Sequence, residues 1–135
     1  MDSEPPSFNI SELKGKGENI LFVDDVKEQR AIGKKVLTDF RYNPVCLESG
    51  EKAIEYCRTE KPDLLIVDMI MEPGMNGYET LKALRKIHPD LKAIVISGYS
   101  ETDQVRSALD LGGAIFLKKP YAVEDFAAAI HKILG

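Results

Sequence analysis

Five short apolar runs recur along the chain: ILFV at residues 20–23, PVCL at 44–47, LLIV at 64–67, AIVI at 93–96 and AIFL at 114–117. Each is too short for a buried helix, and three are apolar without alternation, as strands covered on both faces are. The stretches between them carry helical spacing. Ile32, Val36 and Phe40 recur every four residues with Leu37 alongside, Leu81, Leu84 and Ile87 every three, and Val105, Ala108 and Leu109 form a third stripe. Val123, Phe126, Ala127, Ile130, Ile133 and Leu134 share one face of a last helix. Residues 49–58 make the remaining helix, with Ser49 as its N-cap. Asp25 before Glu28, Asn76 before Glu79 and Ser100 before Asp103 have the spacing of capping pairs. Strands alternating with helices predict right-handed parallel crossovers, hence an α/β fold: a doubly wound, five-stranded parallel sheet with five helices.

Residues 1–17 are polar and punctuated by Pro5, Pro6, Gly15 and Gly17, so they read as a flexible tail or linker with a short helical piece around Ile10 to Leu13. The folded domain then spans residues 18–135. A net charge of −4, from 18 basic and 22 acidic residues, lacks the clustered positive charge of a nucleic-acid surface. Cys46 and Cys57 have no metal-ligand spacing and read as small packed hydrophobes in a reducing compartment. No apolar run reaches membrane-spanning length and the acidic, proline-bearing start is no signal peptide, so a cytoplasmic location without membrane contact is expected.

In doubly wound folds, ligands sit beyond the C-terminal ends of the strands. The residues following the apolar runs are Asp24-Asp25, Asp68, Ser97-Gly98 and Lys118-Lys119-Pro120. Three carboxylates brought together would repel one another and hold protons. A divalent cation relieves that repulsion, and Mg2+ takes carboxylates, waters and a phosphate in octahedral geometry. Asp68 is then a carboxylate able to act as a nucleophile and form an aspartyl phosphate, with Lys119 and Ser97 facing the phosphoryl oxygens. Singly, each residue has a plainer reading: Asp25 as a helix cap, Asp24 as a turn residue, Ser97-Gly98 and Lys119-Pro120 as turns. Met69, Met71 and Met75 read as loop packing, and His88 and His131 as solvated positions near helix ends.

The strings ILFVDD, LLIVDMIMEPGMNGYE, AIVISGYS and AIFLKKPY resemble those of response-regulator receiver domains over residues 18–134, and the longer ones resemble receivers fused to hybrid sensor histidine kinases. The resemblance implies a flavodoxin-like fold and a phosphoacceptor, Asp68. It implies Mg2+ (with Mn2+ as the alternative ion) on Asp24, Asp25, Asp68 and the backbone carbonyl of Ile70. Ser97 and Lys119 would bind the phosphoryl group. Phe116 would be the switch aromatic, turning inward as the surface of the fourth helix, fifth strand and fifth helix, including Val105 and Tyr121, changes shape. Ile70 and Tyr99 would border the phosphoryl group and make its loss slow. The implied partners are a histidine kinase or histidine phosphotransfer protein and a downstream protein target. Transfer and dephosphorylation would be self-catalysed, with no enzymatic activity on other substrates. Pro73 and Gly77 lie five and nine residues after Asp68, each one residue beyond the family's usual spacing. A phosphatase of the haloacid dehalogenase kind would need a second Asp where Ile70 stands. A flavin binder would need a glycine- or hydroxyl-rich loop where Asp24-Asp25 stands. A phosphorylation-independent binding module of the same fold is the alternative.

Overall fold

The computed structural model describes residues 10–71, 73–98 and 102–135. A 3₁₀ turn at Ile10–Leu13 leads into β1 (Asn19–Val23), α1 (Lys27–Asp39), β2 (Asn43–Leu47), α2 (Gly50–Cys57), β3 (Leu64–Asp68), α3 (Gly77–Ile87), β4 (Lys92–Ser97), α4 (Asp103–Asp110), β5 (Ala114–Lys118) and α5 (Val123–Leu134). The strands form one parallel sheet in the order β2-β1-β3-β4-β5. The expected doubly wound, five-stranded fold is therefore the one observed.

Period-two alternation sorts the strand side chains between two cores. Leu21, Val23, Leu65, Val67, Ala93 and Val95 face α2, α3 and α4, where Cys57, Leu81, Leu84, Val105 and Ala108 pack. Ile20, Phe22, Leu64, Ile66, Ile94 and Ile96 face α1 and α5, meeting Leu37, Phe126, Ala127 and Ile130. Gly33 lets α1 lie close on β1, since a Cβ there would stand 2.7 Å from the Phe22 ring. Cys46 is half-buried in β2 and Cys57 buried at the end of α2; burial pushes the Cys57 thiol up to about 11, in keeping with packing.

Several expectations are corrected. Within residues 10–17, Leu13 is buried in the α1–α5 core, and the Gly15 and Gly17 amides donate to Phe40 and Arg41 carbonyls. Ile32 and Val123, members of the apolar stripes, are exposed because both turn off the core toward the gap between α1 and α5. The N-cap of α1 is Val26, without a side-chain cap hydrogen bond, instead of Asp25. The cap of α4 is Thr102, whose hydroxyl accepts from the Val105 amide; Ser100 lies outside the described residues. Ser49 and Asn76 cap α2 and α3 as read, Asn76 in a reciprocal capping box with Glu79. His88 is half-buried and also makes a structural contact: its Nε2–H is shared between the carbonyls of Cys57 at 2.8 Å and Glu60 at 3.0 Å, tying the end of α3 to that of α2. Met69 and Met71 are buried in the core, and Met75 is half-buried.

Candidate functional site

The sheet order reverses between β1 and β3, so the C-terminal ends of these two strands flank the switch point of the fold. Asp24 follows β1 and Asp68 ends β3, and both are buried, with Asp24 3% exposed. Asp24 Oδ1 accepts the Val26 amide at 2.9 Å, and Asp68 Oδ1 accepts the Ile70 amide at 2.9 Å. Lys119, beyond β5, reaches back between them. Its ammonium lies 2.5 Å from Asp68 Oδ2 and 3.7 Å from Asp24 Oδ2. The Lys119 amide donates to the Ser97 carbonyl at 2.8 Å and joins this segment to the end of β4; the Lys119-Pro120 bond is cis. Lys118, opposite Ser97 in the ladder, is exposed.

Burial is the first cause that raises the Asp24 carboxyl above its usual range, and the charges of Asp68 and Asp25 add to it. The Val26 hydrogen bond and Lys119 act in the other direction. Tyr121 is pushed up to about 12, first by burial and then by Asp24 and Asp68, which places its ring in the field of both carboxylates.

The predicted residues are thus brought together unevenly. Asp24, Asp68 and Lys119 form a contact cluster. Ser97 is buried at the end of β4, Asp25 is exposed on the turn after β1, and Ile70 is exposed beside Asp68. Among the described residues no three His, Cys, Asp or Glu side chains gather as a closed metal cage; the ammonium holds the two buried carboxylates instead. Phe116 is half-buried in β5 on the face toward α2, α3 and α4, whereas Tyr121 packs on the opposite face, stacked on Phe126 at 5.3 Å. Val105 is fully buried. Tyr99 lies outside the described residues.

The loop after β3 is held to the sheet by Gly77, whose amide donates to the Met69 carbonyl at 2.9 Å, and to α2 by Glu51, which accepts the Met75 amide at 3.3 Å. A Cβ at Gly77 would stand 2.7 Å from the Asp68 carbonyl oxygen and 2.8 Å from Met69 Cα. Both are backbone atoms of the strand end and cannot turn aside. Gly77→Ala is expected to cost about 1–3 kcal/mol, the usual range for overpacking, read as a lower urea midpoint with unchanged slope.

Sequence reasoning missed an apolar groove of about 530 Å³ between α1 and α5, bordered by Ile32, Val36, Val123 and Phe126 and running up to Gly98 and Lys119. The readable signal was Gly33: a glycine inside a helix costs about 1 kcal/mol against alanine and marks a close approach. Arg30 was missed too; its guanidinium donates to the Asp24 carbonyl at 2.8 Å.

An α/β sandwich with acidic groups and a lysine at its strand ends has many relatives. Residues 20–131 match the family model described as response regulator receiver domain. The chain is 31% identical over 117 residues to sporulation initiation phosphotransferase F of Bacillus subtilis, covering 87% of this chain and 94% of that protein. It is 31% identical over 118 residues to the chemotaxis protein CheY of Thermotoga maritima, covering 87% and 98%. Against the DNA-binding transcriptional regulator NtrC of Klebsiella pneumoniae it is 30% identical and spans 24% of that longer protein. A CheY-like receiver domain from Methanospirillum hungatei superposes with a TM-score of 0.82 at 24% identity, covering 87% of this chain and 94% of that one, which bears on the fold alone. The chain belongs to the response regulator receiver domain family, a family of two-component signalling domains.

Proposed function

We propose that Asp68 accepts a phosphoryl group from a phosphohistidine on a histidine kinase or histidine phosphotransfer protein, in a Mg2+-dependent reaction, and that the domain thereby signals to a downstream protein target. The observation that carries this reading is the Lys119 ammonium lodged between two buried carboxylates at the switch point of the sheet. Such a pair has an anionic nucleophile and a cation ready for incoming phosphoryl oxygens. The donor chemistry, Asp24, Asp25, Asp68 and the Ile70 carbonyl, is all oxygen and fits Mg2+ or Mn2+. That ion supplies charge neutralisation on the phosphoryl oxygens when bound.

The protein's own groups do the rest. A carboxylate oxygen of Asp68 attacks phosphorus in line; the P–O bond forms as the P–N bond breaks, and the donor imidazole keeps the electron pair. Lys119 follows the new charge from the Asp68 carboxylate to the phosphoryl oxygens, and the Ser97 hydroxyl donates to another. Phe116 turns into the space Ser97 leaves, shifting the balance between two shapes of the α4–β5–α5 surface. Ile70 and Tyr99, neither suited to orient a water, keep the loss of phosphate slow. The groove between α1 and α5 supports docking of the phosphodonor, since its apolar walls end at Lys119. In this reading the receiver unit starts at or before Leu13, which belongs to its core.

The test is intact mass after incubation with acetyl phosphate, with and without Mg2+, followed by peptide mapping. A Mg2+-dependent gain of one phosphoryl group on Asp68 is the expected result. No gain by a folded chain, or a gain elsewhere, would overturn the reading in favour of a phosphorylation-independent binding module.

A further inference from the structure

The turn that carries Asp24 and Asp25 has no side-chain cap from the helix it leads into, because Val26 occupies the cap position. Asp24 is instead held at three points. Its amide donates to the Leu47 carbonyl at 3.1 Å, completing the β1–β2 ladder. Its carboxylate accepts the Val26 amide at 2.9 Å, and its carbonyl accepts the Arg30 guanidinium at 2.8 Å. The first two contacts fix the strand side of Asp24 and its carboxylate. The third fixes the plane of the peptide that joins Asp24 to Asp25. Asp24 is buried, so that carbonyl has little access to water and depends on a protein donor. Arg30 is itself anchored one turn into α1, its amide donating to the Val26 carbonyl at 3.1 Å, so its side chain folds back over the turn from a fixed base.

We propose that Arg30 is a positioning residue for the divalent-cation site: by holding the Asp24–Asp25 peptide plane it sets the angle at which the two carboxylates are presented. This rests on the receiver reading above. Charge and position make opposite predictions here. A guanidinium near the site repels a cation, so if Arg30 acted through charge alone its removal would tighten Mg2+ binding. If it acts by position, its removal weakens binding. Outer partners that orient ligands commonly change metal affinity about 10-fold or more when lost.

The experiment is calorimetric titration with Mg2+ alone, without a phosphodonor, of the wild type, Arg30→Met and Arg30→Lys. Unfolding in chelator is measured in parallel. The expected result is Mg2+ affinity about 10-fold weaker in Arg30→Met, with most of it recovered in Arg30→Lys, which keeps a donor and the charge. Unchanged or tighter binding by Arg30→Met overturns the proposal, as does lower stability in chelator with unchanged affinity, which assigns Arg30 a merely structural role. If Arg30→Met does not fold, Arg30→Gln, a neutral donor, takes its place, and wild-type affinity in that variant supports the hydrogen bond as the working part. Wild type that binds no Mg2+ sinks the receiver reading and this inference together, an outcome separate from equal binding by wild type and variant.

Discussion

Lys119→Ala is expected to slow phosphorylation of Asp68 by acetyl phosphate about 10²- to 10³-fold, the usual cost of removing one group that stabilises developing charge. Lys119 is the cation in contact with both buried carboxylates, whose side chains are 4% and 11% exposed against 29% for its own. Without it, Asp24 and Asp68 face each other at a drying strand edge. The charge of Asp68 then raises the Asp24 carboxyl without Lys119 to oppose it, and no cation meets the charge that develops on the phosphoryl oxygens. Because the lysine keeps partial access to water, stability in chelator should fall by about 1–3 kcal/mol, less than for a fully buried pair. Mg2+ affinity should move the other way, since the cation no longer competes with an ammonium for Asp68. A time course of intact mass measures the first effect and calorimetry the last. A phosphorylation rate within threefold of wild type would remove Lys119 from the chemistry.

Asp24→Asn should stabilise the metal-free protein while abolishing most Mg2+ binding. Burial raises the Asp24 carboxyl above its usual range, with Asp68 and Asp25 adding to the effect. Between the ordinary carboxylate value and the raised one, the folded chain therefore holds more protons than the unfolded chain. The contribution of Asp24 to stability is then highest at low pH and falls as pH rises through that window, so ionised Asp24 costs stability at neutral pH. Asparagine keeps an oxygen for the Val26 amide and carries no charge. The melting temperature in chelator should rise by several degrees at pH 7, about 1 kcal/mol corresponding to about 3–6 °C in a domain of this size. The gain should shrink below the ordinary carboxylate range, where Asp24 is protonated in both states. Mg2+ affinity should drop at least about 10-fold, from the loss of a first ligand. Thermal unfolding by circular dichroism at several pH values decides the matter, and a lower melting temperature at pH 7 would refute it.

These two residues were legible in the sequence because each ends or follows an apolar run, and the period of a parallel strand points its end at a known edge. The strands themselves were readable within one residue at either end, since fully buried strands have little choice of composition: β3 reads LLIV and then the aspartate. Helix faces were less legible. Ile32 and Val123 fit a helical stripe but occupy the groove, because periodicity tells which side chains share a face and not what covers that face. Arg30 and His88 escaped for another reason. Both act on backbone carbonyls, of Asp24 and of Cys57 and Glu60, and a carbonyl leaves no trace in the residue code. Leu13 escaped because glycines and polar neighbours surround a single buried anchor, too sparse a signal for any period.

That anchor has a geometric outcome. Lys14, Gly15 and Lys16 border the same small hollow as Leu134 and Gly135, at the edge where β1 begins and opposite the one where it ends in Asp24. The segment leading into β1 and the end of α5 thus lie side by side. Asp24, Asp68 and Lys119 gather at the opposite pole of the sheet from that hollow.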